Sequence, residues 1–301
     1  MSTKNKHIPC LITIFGATGD LSHRKLFPSI FHLYQQDNLD EHIAIIGIGR
    51  RDITNDDFRN QVKSSIQKAR KKIQNKIDAF MEHVFYHRHD VSNEESYQEL
   101  LDFSNELDSQ FELKGNRLFY LAMAPQFFGV ISDYLKSSGL TDTKGFKRLV
   151  IEKPFGSDLK SAEALNNQIR KSFKEEEIYR IDHYLGKDMV QNIEVLRFAN
   201  AMFEPLWNNK YISNIQVTSS EILGVEDRGG YYESSGALKD MVQNHMLQMV
   251  ALLAMEAPIS LNSEDIRAEK VKVLKSLRHF QSEDVKKELC SWSIWRRLYR
   301  W

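Results

Sequence analysis

The stretch IPCLITIFGATGDLSHRKLF, residues 8–27, decides the fold. Ile8–Phe15 is a short run rich in apolar and β-branched residues, which reads as a buried strand. Gly16 and Gly19 then permit a tight turn and a close backbone approach, and a helical stretch follows. A strand that feeds a helix through glycines opens a βαβ unit. The same alternation continues to about residue 185, with strands expected at Ile8–Phe15, Ile43–Gly49, Val84–Val91, Arg117–Met123, Arg148–Glu152 and Ile178–Ile181. Polar amphipathic segments such as Thr54–Asn75 and Asn93–Leu107 separate them at crossover-helix length. The pattern predicts a parallel sheet covered on both faces, a doubly wound α/β domain of Rossmann type.

After Tyr184 the character changes. Lys187–Asn200 reads as one helix, Ile212–Leu223 alternates like a strand, and Gly236–Met255 is a long helix with Met241, Leu247, Val250 and Leu253 on its apolar side. A first domain over 1–183 and an α+β domain over 184–287 are expected. One strand cannot make a sheet, so the second domain reads as incomplete. Residues 288–301 fit neither. Three of the four tryptophans, Trp292, Trp295 and Trp301, crowd there without periodicity. Tryptophan has a single codon, TGG, and a frame displaced by one base turns it into glycine. A back-translation of the tail from Glu288 then reads NFVRGQYG, so the tail is expected to be out of frame.

Composition narrows the class. The 301 residues carry 41 Lys+Arg against 41 Asp+Glu, which gives no general pull towards nucleic acid or anionic membrane. Apolar residues make up 42% and charged residues 27%, values of an ordinary globular protein. Met246–Met255, the longest apolar stretch, is too short to span a bilayer. Cys10 and Cys290 are too few for a disulfide framework, which predicts a cytoplasmic, reducing compartment.

Several blocks carry chemistry. Residues 16–21, GATGDL, place a helix N-terminus behind a glycine turn, where free N–H groups suit a phosphate. The spacing departs from G-x-G-x-x-G, and a plain strand–turn–helix corner would look similar. At the end of the second strand stands Arg50, where an acid would hold a ribose 2′-hydroxyl. A guanidinium suits a 2′-phosphate instead, which favours NADP over NAD. The block EKPFG, 152–156, sets Lys153 at a strand's carboxyl edge, with Pro154 fixing the backbone. RIDHYLGKDMVQN, 180–192, gathers Asp182, His183, Tyr184 and Lys187 within six residues. Two cations there suit one anionic group, and a carboxylate could brace a base. His245 lies on the apolar helix; five residues from Asp240, it stands about 140° away on an ideal α-helix. No second His or Cys cluster has ligand spacing, so no metal is expected.

In order and spacing, GATGDLSHRKLFPSIFHLY, EKPFG, RIDHYLGKDMVQN and SEILGVEDRGGYYESSGALKDMVQNH resemble the glucose-6-phosphate dehydrogenase family over residues 8 to about 287. The resemblance implies an oxidoreductase that converts glucose 6-phosphate to the lactone with reduction of NADP. It implies NADP contacts at Gly16, Ala17, Thr18, Gly19, Asp20, Leu21, Ser22, His23, Arg50, Asp90, Val91, Tyr120 and Lys153. His183, Tyr184, Lys187 and again Lys153 would hold the sugar phosphate, and Glu221 and Asp240 the sugar hydroxyls. His245 would be the general base and Asp182 its orienting carboxylate. Family members form homodimers or tetramers through a large antiparallel sheet, and a further lysine motif completes their phosphate pocket; this chain has neither. The alternative expectation is a catalytically dead product that at most binds NADP.

Overall fold

The computed structural model describes residues 7–69, 76–153, 155–156, 158–220, 232, 235–279, 281 and 283–284. Pro154, Glu221 and the tail from 288 lie outside them. The chain divides into two compact units, 1–182 and 183–301.

The first unit is built on six parallel strands: β1 (Cys10–Phe15), β2 (Ile43–Gly49), β3 (Val84–Arg88), β4 (Arg117–Leu121), β5 (Lys147–Ile151) and β6 (Ile178–Arg180). Their order across the sheet is β3-β2-β1-β4-β5-β6, so the direction of winding reverses between β1 and β4. The α-helices of this unit are α1 (Phe27–Gln35), α2 (Asn55–Ala69), α3 (Ile77–Glu82), α4 (Ser96–Phe111), α5 (Phe128–Ser137) and α6 (Leu159–Ile169). Six of the seven β2 residues are buried, as a strand covered on both faces requires. One face packs Ile14, Ile45, Phe27, Phe58 and Phe80 under α1–α3. The other packs Phe15, Ile46, Ile48, Tyr97, Phe119 and Leu149 under α4–α6. β2 has the expected bounds and β1 starts two residues later than expected; β5 starts one residue earlier, and β3, β4, β5 and β6 end one to three residues before the expected ends, because pairing stops where the chain turns away from the sheet. Cys10 is an unreactive thiol: burial pushes it up to about 12.

The second unit, in its described residues, is helical: α7 (Asp188–Phe198), a π-helix over Leu238–Met246, α8 (Leu247–Ala254) and α9 (Ser263–Ser276). The strand expected at Ile212–Leu223 is not formed over 212–220, which belong to no ladder. A strand needs a hydrogen-bonding partner, and the described residues offer none. The apolar side also differs from expectation. Met249, Ala251, Leu252 and Met255 are buried, whereas Leu247, Val250 and Leu253 are half-buried. Nearly every residue from 246 to 255 is apolar, so the pattern itself could not choose a face.

Two histidines at the end of β3 set a pH dependence. His89 is 2% exposed, and neither ring nitrogen has a hydrogen-bond partner among the described residues. Burial first, then His87, lowers it from 6.5 to about 4, against the opposing pull of Asp90 and the Ser96 backbone. The unfolded chain takes up this proton near pH 6.5, whereas the folded chain resists until about pH 4. Stability is therefore lost as pH falls through that window, by up to about 3 kcal/mol for this residue. His89→Phe should flatten the pH dependence of Tm between pH 6.5 and 4.5. An unchanged slope would assign the acid lability elsewhere.

Candidate functional site

In the first unit the carboxyl ends of the strands form one edge, and the expected cofactor residues gather along it. Gly16 N–H and Ala17 N–H both donate to Ile48 O, at 3.1 and 2.9 Å, which folds the turn over the end of β2. Gly16 has φ +85°, and a Cβ there would lie 2.4 Å from Ala122 O, so no other residue fits. Ser22 Oγ donates to Gly16 O at 3.0 Å, and Gly19 N–H donates to the same carbonyl. Ser22–Leu26 is a short π-helical turn joined to α1. Beside it opens a cleft of about 850 Å³ lined by Thr18, Asp20, His23, Arg24 and Arg51 and by the polar side of α2. Burial and then Arg51 lower the His23 imidazole, so it is neutral near pH 7.

Arg50 lines a second cavity of about 400 Å³ with Arg88, His89, Asp90, Asn93 and Ser96. The two arginines of one dipeptide thus line different cavities, and the sequence reading had singled out only the first. Asp90 Oδ1 accepts from Ser92 N–H at 3.0 Å, and Val91 O accepts from the buried Tyr97 hydroxyl at 3.0 Å. Tyr120 Oη donates to Glu152 at 2.6 Å; burial and this carboxylate both raise the phenol, which stays protonated. Lys153 follows directly and is half-buried, and Asp182 closes the unit two residues beyond β6.

In the second unit the rings of Tyr184 and His245 stack at 4.3 Å and 13°. His183 stands edge-on to both, with centroids at 4.8 Å from Tyr184 and 4.6 Å from His245. Lys187 Nζ lies 3.4 Å from the centre of the Tyr184 ring, a cation–π contact. Tyr184 Oη is 3.3 Å from Ser219 Oγ, a partner that no motif had indicated. Tyr184 and His245 are buried, whereas His183 and Lys187 are exposed, so the cluster has a buried aromatic floor and an exposed rim with one ammonium.

Asp240 and His245 both lie in the π-helix, and both are buried. There the bonding runs i→i+5, so the fifth residue succeeds the first along one side. The separation of 140° expected for an α-helix therefore does not apply. Both residues are buried in this one helix, and its wider turn sets them closer in direction than an α-helix would.

Comparison with known proteins gives a consistent result. Residues 13–192 match the family model "Glucose-6-phosphate dehydrogenase, NAD binding domain", and 194–291 match its C-terminal domain. Glucose-6-phosphate 1-dehydrogenase of Bacillus subtilis is 61% identical over 281 residues, which cover 93% of this chain and 57% of that protein. The Leuconostoc mesenteroides enzyme of the same name is 47% identical, with the same two coverages. A solved structure described as glucose-6-phosphate dehydrogenase in complex with its substrate glucose-6-phosphate superposes with a TM-score of 0.85 at 41% identity. It covers 92% of this chain and 58% of that one. The chain thus spans a little over half the length of the relatives it matches.

Proposed function

Because the chain belongs to the glucose-6-phosphate dehydrogenase family, we propose that it carries the cofactor and sugar-phosphate residues of an NADP-dependent glucose-6-phosphate 1-dehydrogenase. The observation that carries this reading is the cluster of His183, Tyr184, Lys187 and His245. It combines an exposed ammonium and imidazole for a phosphate with a buried imidazole for a proton.

The first unit fits a dinucleotide on its own geometry. The Gly16 turn leaves no room for a side chain, and the cleft beside it is lined by His23, Arg24 and Arg51. Arg50 and Arg51 would supply the charge for a 2′-phosphate, and Asp90 and Val91 would border the nucleoside. Bound there, NADP would supply at its nicotinamide ring the acceptor for the hydride from C1 of the sugar. The protein's part is to take the proton. His245 accepts it from the anomeric hydroxyl at an imidazole nitrogen as the C1–H bond breaks and C1=O forms. Asp182 would orient that ring and stabilise the imidazolium. Lys187 and His183 would hold the 6-phosphate, Asp240 and Glu221 the sugar hydroxyls, and Lys153 the region between sugar and cofactor. The protein would act in the cytoplasm as a homodimer or tetramer.

The test is a binding titration with both cofactors. Arg50→Ala should weaken NADP by about 10–100-fold, the worth of one or two charge-assisted hydrogen bonds, and NAD far less. Equal losses for both cofactors would mean the arginine reads something other than the 2′-phosphate.

A further inference from the structure

The helix that bears His245 is held at its far end by a clamp with no place in the chemistry described so far. α8 continues the π-helix without a break and ends at Ala254, where its last carbonyls need partners from outside the helix. Arg197, in the last turn of α7, is 5% exposed. Its two terminal nitrogens donate to Leu252 O and Met255 O, both at 2.6 Å. Trp207 Nε1 donates to Leu253 O at 2.8 Å. The guanidinium lies against the rings of Phe198 and Trp207, 4.7 and 5.1 Å from their centres. Ala251 O accepts from Met255 N–H at 2.9 Å, so this end is closed by bonds that each require one register. A guanidinium at a helix C-terminus also complements the helix dipole.

We propose that Arg197, assisted by Trp207, is a positioning residue that fixes the register of the His245 helix and so keeps the imidazole stacked on Tyr184. The reason lies in the π-helix. An i→i+5 turn contains one residue more than an i→i+4 turn, and it can relax to the α form by passing that residue along the chain. Relaxation would rotate one part of the helix against the other by about 100°. Asp240 and His245 would then diverge in direction, or His245 would leave Tyr184. With the C-terminal end pinned to α7, the extra residue has nowhere to go. α7 itself follows directly on Lys187, which lies on the Tyr184 ring, so the same helix begins at the cluster and ends at the clamp.

The inference rests on His245 as the proton acceptor, but its test needs no turnover. A stacked phenol ring displaces the ring-proton resonances of His245 upfield, and these can be followed by NMR on residues 1–301, assigned with His245→Gln. Arg197→Met should lose most of that displacement, and Arg197→Lys, which keeps a cation and donors, should retain most of it. Arg117→Met is the control. Arg117 is equally buried and donates to Leu140 O and Asn105, but it lies in the first unit. It should lower Tm and leave the His245 resonances in place. If Arg197→Met does not fold, Trp207→Phe, which removes only the bond to Leu253, should cause a partial loss. Resonances unmoved in the folded Arg197 variants, or in Trp207→Phe if Arg197→Met fails, would overturn the proposal. A failed His245→Ala assay with shifted resonances would instead refute the role of the base and leave the clamp standing.

Discussion

His245→Ala lowers turnover by roughly 10²–10⁴-fold, the usual worth of a positioned general base, and leaves NADP affinity nearly unchanged. The second half of this expectation follows from location. His245 lies in the second unit against Tyr184 and His183, whereas the glycine turn and the arginines belong to the first. The imidazole is fully buried in this structure, so solvent water is a poor substitute for it. Turnover is measured in a chimera in which this chain is continued by the remaining part of the Bacillus subtilis relative. A turnover number unchanged at saturating substrate would remove His245 from the reaction.

Gly16→Ala should be the most damaging single change in the first unit. The left-handed backbone alone costs a non-glycine residue about 1–2 kcal/mol. The added methyl would also sit 2.4 Å from Ala122 O, backbone that cannot swing aside as a side chain would. The turn must then lift off the end of β2 and surrender the bonds of Gly16 and Ala17 to Ile48. Because this turn borders the cleft, NADP affinity should fall by at least about tenfold, together with Tm. An unchanged dissociation constant in a fluorescence titration would separate the turn from cofactor binding.

The first unit was legible because its central strands, β2 above all, are buried on both faces. Runs such as Ile43–Gly49 are apolar throughout and glycines punctuate their ends, so the six strands could be located from local pattern alone. The second unit was harder for the opposite reason. Ile212–Leu223 has the alternation of a strand, but alternation supplies no partner, and residues 212–220 remain unpaired. The π-helix was invisible to a reading that assumed 3.6 residues per turn. Motifs brought His183, Tyr184, Lys187 and His245 forward, but the Tyr184–His245 stack and the Ser219 contact join residues far apart in the chain, where no local spacing reaches. Arg51 was passed over in favour of Arg50 because a dipeptide gives no sign that its two side chains line separate cavities.

The most direct test uses glucose 6-phosphate deuterated at C1, incubated with NADP and the same chimera, with the mass of the reduced cofactor as the readout. Hydride transfer from C1 predicts reduced cofactor that carries the deuterium, formed only when both substrates are present and nearly abolished by His245→Ala. Reduced cofactor without deuterium, or no reduction by a folded chimera that binds NADP, would contradict it.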